Sequence, residues 1–367
     1  MNPPGDAMRI AVCLTLIFLP GLLQAGIYSP DQLFLFEIEP GNIAQEMQYS
    51  GGFDTQLADF RDINVPDNRL KLLLEERIRK RRLEGVNRLS PDELAGYTAD
   101  LLRVNRGDEV LNLLHPIARD PRRGGFLVYT HLARAHAARG EWREAAEQEL
   151  MAVKYSDFPT KFGQLSRDQL AWLKKVEKDY YLPWLLKRAE EARLGKVIGL
   201  NENPDRIFPA GGKSESDFVK FTSGDGGYQA GKIAESEKAK LPPDALAIVQ
   251  QMLIWHPNDA RLLWQLGELY NTEGNIDTAA RILDLGSYTQ GYSNPQLLDH
   301  RRVLLTAISE AAAAKVAEQE AERAAKIQNQ IDEKKRFWWI VSIFVAGGIF
   351  LLYSQAREIR RRIMRWF

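Results

Sequence analysis

Cysteine is almost absent from this sequence: the single one, Cys13, lies in an apolar run near the N-terminus. Removal of that run as an export signal leaves a mature chain without cysteine, which excludes disulfides, thiolate nucleophiles and cysteine-based metal sites. The five histidines form no HExxH motif and no pair four residues apart. The many carboxylates form no pair whose spacing marks a catalytic site. The sequence therefore predicts no enzyme, no bound metal and no cofactor.

An excess of charge of either sign is also absent, since 49 Lys and Arg balance 49 Asp and Glu. The distribution is uneven. Residues 334–367 hold eight basic residues and one acid, which leaves residues 26–333 with a net charge of about −7. Nucleic-acid binding favours basic surfaces, so the acidic body is a poor candidate for it. We expect no nucleic acid, no small-molecule substrate, and a protein partner that the sequence does not identify.

The N-terminus has the three parts of an export signal. Arg9 precedes an apolar stretch, residues 10–23, that is short for a membrane span, and Ala25 is the small residue that a signal peptidase requires. A proline and a glycine near the end of the stretch favour cleavage over a retained anchor. Translation from Met8 instead of Met1 would give a more compact signal, and the sequence leaves both starts open.

A second apolar segment, residues 337–354, contains no charged residue and is long enough to cross a bilayer core of about 30 Å. Aromatic residues stand at both of its ends, as they do at membrane interfaces. The tail, residues 355–367, carries five arginines, which favours a cytoplasmic C-terminus. An exported N-terminus requires the same orientation. We therefore predict a single-pass protein of the cytoplasmic (inner) membrane, with its body on the outer face.

Two stretches of the body share an internal pattern of a leucine with a small residue, then a glycine, then an alanine. The positions are Leu132-Ala133, Gly140 and Ala145 in the first stretch, and Leu266-Gly267, Gly274 and Ala279 in the second. A weaker copy has Asn105 at the turn, and asparagine also tolerates the left-handed backbone conformation. This pattern resembles that of tetratricopeptide-repeat proteins, over roughly residues 90–160 and 242–295.

The resemblance implies an all-α fold, a TPR-like α-solenoid of antiparallel helix pairs in which small residues let the paired helices approach. Ser90 with Glu93, and Ser166 with Gln169, predict helix starts, and Pro183 predicts a break. Residues 308–336, rich in Ala, Glu, Lys and Gln, predict a helical stalk whose weak heptad pattern leaves self-association open. The expected order is a signal peptide (1–25), an extended segment (26–65), helical repeats (66–199), an irregular insertion with a hairpin (200–240), further repeats (241–307), the stalk (308–336), the transmembrane helix (337–354) and a basic tail (355–367).

In tetratricopeptide arrays the first helix of each repeat lines a concave groove, so the resemblance implies a partner-binding face. Its candidate residues are Arg261, Trp264, Gln265, Glu268 and Asn271 in the second stretch, and Thr130, His131 and Arg134 in the first. An exposed tryptophan among polar residues is typical of a binding hot spot. The alternative, that Trp264 packs on a neighbouring helix, stays open. The Lys and Asn residues with which family members clamp a carboxylate are absent, which argues against a receptor for chaperone tails.

One motif points to another class of protein. Residues 226–232 match the first seven positions of a phosphate-binding loop. Ile233 stands where Ser or Thr must bind Mg²⁺, so a glycine turn before a helix is the favoured interpretation. The sequence thus favours a membrane-anchored interaction module or scaffold. A non-catalytic accessory subunit, or an assembly or secretion factor of an envelope enzyme complex, is the alternative.

Overall fold

The computed structural model describes residues 28–30, 36–41, 43–46, 52–120, 123–195, 205–214 and 216–363. The predicted export signal lies outside these residues. The described chain is mostly helical with little strand, as the sequence predicts. It divides into two units, residues 1–304 and residues 305–367, and the second begins close to the predicted start of the stalk.

The elements follow one another along the chain as a short strand pair and then helices. They are β1 (Phe36–Glu39), β2 (Ile43–Glu46), α1 (Gly52–Arg61), α2 (Arg69–Glu84), α3 (Pro91–Arg103), α4 (Gly107–Ala118), α5 (Phe126–Ala138), α6 (Trp142–Tyr155), α7 (Arg167–Val176), α8 (Leu182–Arg193), α9 (Glu235–Lys238), α10 (Ala245–Trp255), α11 (Ala260–Thr272), α12 (Ile276–Asp284) and α13 (Pro295–Ile363).

Two predicted helix starts are formed by reciprocal side-chain caps. At α3, the hydroxyl of Ser90 accepts the backbone N–H of Glu93, whose carboxylate accepts the backbone N–H of Ser90 at 2.8 Å. Ser166 and Gln169 make the same pair of bonds at the start of α7. Each cap satisfies two backbone donors that a helix N-terminus otherwise leaves free, so both predicted starts are confirmed.

Consecutive helices pack as pairs, α3 on α4, α5 on α6 and α11 on α12. The turn residues Asn105, Gly140 and Gly274 have positive φ values of 60°, 74° and 79°, as predicted for these positions. In α11 a Cβ added to Gly267 would lie 2.9 Å from Leu283 Cγ of α12 and closer still to its Cδ2. Close approach of the paired helices therefore depends on small residues. The arrangement of these pairs as a TPR-like solenoid stays a prediction.

The N-terminal part of the body has more regular structure than the predicted extended segment. Strands β1 and β2 pair antiparallel, and α1 follows them. Phe36 of β1 is 1% exposed and packs on Trp172 of α7, with ring centroids 5.1 Å apart. Asp54 of α1 pairs with Arg281 of α12 at 2.9 Å. The predicted extended segment is therefore extended in β1 and β2 but includes the helix α1, which packs on distant helices of the chain.

Pro183 does not break the helical path, contrary to the prediction. A π-helical turn, Glu177–Tyr181, joins α7 to α8. Pro183 directly follows this turn, in which the N–H of Leu182 bonds to the carbonyl of Glu177, five residues earlier. The wider π turn accommodates the proline ring. Helices α7 and α8 thus continue as one segment, and α8 packs on α6.

The insertion between the repeat blocks is irregular, as predicted, but its predicted hairpin does not form. Among the described residues from 205 to 240, regular structure is limited to the short helix α9 and an isolated bridge between Gln229 and Lys232. The strand-like residues 218–222 form no strand. Their backbone groups are bonded instead within local turns and to α9, for example Lys220 N–H to the Glu237 carboxylate at 2.6 Å.

The second unit is the continuation of α13. It contains a window of 18 residues with a mean hydropathy of 1.9 and no buried residue, long and apolar enough to cross a membrane. Phe344 and Phe350, for example, are 76% and 71% exposed. The predicted stalk and the predicted span are both helical and belong to this one helix. The long apolar C-terminal helix is confirmed, and its side and orientation in a membrane stay predictions.

Candidate functional site

The structure places all eight side chains of the predicted partner-binding groove inside the protein. Their exposed fractions are 0% (Thr130), 1% (His131, Trp264, Glu268, Asn271), 2% (Arg134) and 4% (Arg261, Gln265). Trp264 is therefore not open to a partner, and the prediction of an exposed hot spot around it is wrong. The alternative, that Trp264 packs on neighbouring elements of the protein, agrees with its burial. What covers these side chains was not visible in the sequence.

The groove face of α11 is covered by the insertion of the same chain. Gln265 Nε2 donates to the backbone carbonyl of Asp205 at 2.7 Å. Asn271 accepts the backbone N–H of Gly231 at 2.7 Å and donates to the carbonyl of Gln229 at 3.2 Å. These side chains thus hold the backbone of a non-helical segment, which is the chemistry by which a polar helix face holds an extended peptide.

Asp205 fixes the start of the described insertion on α8 and α11. Its carboxylate accepts bonds from Arg188 at 2.5 Å, from Trp184 Nε1 at 2.8 Å and from Arg261. Burial favours a raised pKa for Asp205, but the guanidinium groups of Arg188 and Arg261 outweigh it, so the pKa lies below its ordinary value. Arg261, a predicted groove residue, therefore binds this aspartate together with Arg188. It also binds Glu191 of α8 at 2.9 Å.

Arg134, predicted on the groove face of α5, lies in a buried ionic cluster. It pairs with Glu177 at 2.5 Å and with Glu149 at 3.7 Å, and its guanidinium stacks 4.3 Å from the ring of Trp255. One guanidinium thus faces two carboxylates. Burial raises the pKa of Glu149, and the charge of Glu177 adds to that rise against the opposing charge of Arg134. The cluster therefore favours a protonated Glu149.

His131 lies beside this cluster as a neutral residue. Its Nδ1 is 2.6 Å from the hydroxyl of Thr98 on α3. Burial lowers the pKa of His131 to about 3, and the charges of Arg134 and Arg103 act in the same direction. His131 and Thr98 together form part of the lining of a cavity between α3 and α5.

The cavity between α3 and α5 meets the predicted binding face of α5 at His131. Its volume is about 470 Å³. Its apolar lining includes Leu94, Leu114, Ile117, Phe126, Leu127 and Val128. Leu94, Leu127 and Val128 are partly exposed, so the cavity reaches the surface, and the exposed Arg123 and Asp157 also line it. Of the eight predicted site residues, His131 alone is among those described as lining this cavity. Among the other residues that line the cavity, Leu127 lies on the same α5 face as His131, and the rest carry no sequence signal beyond helical periodicity.

The phosphate-loop motif is held by bonds within the protein. Gly226 and Gly231 have φ values of 82° and 69°, which glycine adopts without strain. The N–H of Gly227 donates to the carboxylate of Asp225 at 3.0 Å, and the N–H of Gly231 donates to Asn271. Two amides that could cradle a phosphate are therefore bonded elsewhere, and a carboxylate lies in the loop. These contacts favour the interpretation of a glycine turn.

No protein-family model matches this chain, and comparison with curated proteins and with solved structures gave no match. The resemblance to tetratricopeptide-repeat proteins therefore rests on the sequence pattern and on the helix pairs. Across the part of the chain that the structure describes, no group of three or more His, Cys, Asp or Glu side chains is placed to hold a metal ion.

Proposed function

We propose that the protein is a membrane-anchored protein-interaction module. Residues 337–354 hold it in the cytoplasmic membrane, its helical body lies on the outer face, and its C-terminus is cytoplasmic. The exposed apolar side chains of this part of α13 support the anchor, because no other part of the described chain covers them. The five arginines beyond the span support the orientation.

The observation that carries the interaction function is the apolar cavity between α3 and α5. Exposed apolar depressions mark interaction sites on soluble bodies, and this one is walled by leucine, isoleucine, valine and phenylalanine side chains. One leucine or phenylalanine of a partner buried there would contribute about 1.5–3 kcal/mol. The exposed Arg123 and Asp157 offer hydrogen bonds to the backbone on either side of such an anchor.

Affinity isolation after crosslinking in intact cells tests this proposal. The full-length protein is compared with Leu127→Asp and Leu94→Asp, which place a charge in the cavity from α5 and from α3. Leu186→Asp is the matched control, because Leu186 is 49% exposed on α8 and is not among the residues that line the cavity. We expect a constant set of envelope proteins with the wild type and the control, and its loss with both cavity variants.

Thermal melts of each purified variant separate lost binding from lost folding. The proposal is contradicted if both cavity variants fold and recover the same proteins as the wild type. It is equally contradicted if the wild type recovers nothing beyond what an unrelated single-pass protein recovers. An enzyme among the partners, with its activity unchanged after the protein is removed, would favour a scaffold over an accessory subunit.

Reporter fusions test the topology separately. A reporter fused after Phe367 should be active only in the cytoplasm, and one fused after Ser309 only outside it, because residues 337–354 lie between the two positions. Activity of both fusions in one compartment would refute the anchor.

A further inference from the structure

Exposed apolar residues of α13 in the second unit repeat at an interval of eleven residues. Leu305, Val316 and Ile327 are 38%, 55% and 58% exposed, and each follows the one before by eleven positions. The same interval continues into the predicted span at Trp338 and Ile349, which are also exposed. The stalk, whose heptad pattern is weak, therefore has a regular repeat of a different length.

An eleven-residue repeat places its members along one face of a helix. At about 3.6 residues per turn, eleven residues make three turns and about 20°. Leu305, Val316 and Ile327 thus lie within about 40° of one another. Ile331 is also exposed, follows Ile327 by one turn and lies about 40° further round the helix. These four residues form an apolar stripe about 39 Å long on the stalk.

The apolar stripe faces solvent in the single chain. Every residue from 309 to 331 is exposed, so within the described chain no other segment packs on this part of α13. Large apolar residues that are exposed and follow a helical repeat are typical of an interface between helices. A repeat of eleven residues, in particular, pairs helices in a right-handed supercoil. The segment that covers the stripe is therefore expected to be another helix.

A second copy of α13 matches the stripe along its whole length. Because the repeat runs on into the predicted span, the covering helix must follow α13 from the stalk to the bilayer. The span of a second copy holds each residue at the same height above the membrane as in the first copy. Val316 of one copy then meets Val316 of the other, and Ile327 meets Ile327. The two helices are therefore parallel and in register.

The charged residues on the stripe also suit a second copy. Glu320 and Arg323 follow Val316 by about one and two turns, so they lie on the same face. In a parallel pair in register, Glu320 of each copy lies about 4.5 Å along the axis from Arg323 of the other. Two reciprocal ion pairs thus flank the apolar contacts. Lys334 shares this face but lies beside the predicted span, where its long side chain reaches water and the lipid headgroups.

We propose that the protein forms a parallel homodimer through this stripe, with the α13 helices of two copies paired from Leu305 into the membrane. The parallel orientation rests on the proposed membrane anchor. A dimer presents two of the apolar cavities between α3 and α5 at once. A partner that carries two matching anchors then binds more tightly than a partner that carries one, because its second contact is intramolecular.

Cysteine crosslinking of the full-length protein in isolated membranes tests the pairing. Val316→Cys and Ile327→Cys each place a thiol on the stripe. Ala314→Cys and Ala325→Cys are the matched controls, each two residues before a stripe position and exposed on the opposite face. Cys13→Ser in every variant removes the cysteine of the natural chain. After mild oxidation we expect disulfide-linked dimers from the stripe variants in severalfold higher yield than from the controls, because residues two positions apart do not share a helix face.

A charge exchange tests the register of the two helices. Glu320→Arg should lower the dimer yield of the Ile327→Cys variant severalfold, because it sets like charges against Arg323 of the other copy. The further change Arg323→Glu in the same chain should restore the yield. Glu318→Arg is the control, since Glu318 is exposed on the opposite face and its replacement should leave the yield unchanged.

Two copies with different tags, expressed together, identify the crosslinked molecules, and both tags are expected in one adduct. Equal yields on the two faces of the helix, no dimer at either stripe position, or adducts with another protein alone would overturn the pairing. Reporter fusions test the anchor independently, so failure of the anchor and failure of the pairing are distinguishable.

Discussion

Replacement of Trp264 by alanine tests whether this residue belongs to the core or is a surface anchor for a partner. Trp264 is 1% exposed, its ring packs on Tyr292 with centroids 5.7 Å apart, and its N–H donates to Glu268 at 2.6 Å. Loss of a buried tryptophan costs about 3–5 kcal/mol of the free energy of unfolding. Loss of the donor to a buried carboxylate adds about 1–3 kcal/mol. The cost of Trp264→Ala should therefore approach the whole free energy of unfolding of an ordinary domain.

Trp264→Phe divides the two contributions, because it keeps most of the aromatic packing and removes the N–H. We expect it to cost less than the alanine variant by at least the cavity contribution, about 2 kcal/mol. Leu83→Ala is the control, since Leu83 is 82% exposed on α2 and should change stability by no more than about 0.5 kcal/mol. The assay is denaturant unfolding followed by near-ultraviolet circular dichroism. A cost of less than about 1 kcal/mol for Trp264→Ala would refute the buried position.

Three further predictions concern the buried clusters and the helix pairs. Burial raises the pKa of Glu149 above its ordinary 4.5, so above that pH the unfolded state loses a proton that the folded state keeps. Stability is then lost at about 1.4 kcal/mol per pH unit until the folded pKa is reached, and Glu149→Gln should stabilise the protein increasingly as pH rises in denaturant titrations. The pKa of His131 is lowered from 6.5 to about 3, so below pH 6.5 the unfolded state takes up a proton that the folded state does not. Stability should fall with acidification over that window, and His131→Gln should reduce the slope by about 1.4 kcal/mol per unit. Gly267→Ala should cost about 1–3 kcal/mol by overpacking against Leu283, whereas Gly286→Ala, whose nearest neighbour atom is 3.7 Å from the added Cβ, should not.

The helices with local start and stop signals are predictable from the sequence. Ser90 and Ser166 open α3 and α7 as their capping patterns require, and Asn105, Gly140 and Gly274 take the left-handed turns that end the first helices of the pairs. These features depend on residues within one turn of each other, so the local sequence is sufficient to predict them.

Elements that depend on distant partners were not predictable. Strands β1 and β2 and helix α1 gain their structure by packing on α7, α10 and α12, far along the chain. Helical periodicity places Trp264, Gln265 and Glu268 together on one helix, but it assigned them to partner binding and did not show the segment that covers them. That segment begins at Asp205, whose carboxylate binds cations on two other helices. Long-range contacts determine that these residues are buried. Their spacing in the sequence therefore does not predict their burial.

The central claim, that the body binds a protein partner through the cavity between α3 and α5, is tested most directly by photocrosslinking. A photoreactive amino acid replaces Leu127 in the full-length protein in intact cells, and in a parallel strain it replaces Leu186, which is exposed on α8. Adducts are identified by mass spectrometry after irradiation. The account predicts a discrete partner adduct at position 127 and none at position 186. No adduct at position 127, or the same adducts at both positions, would contradict it.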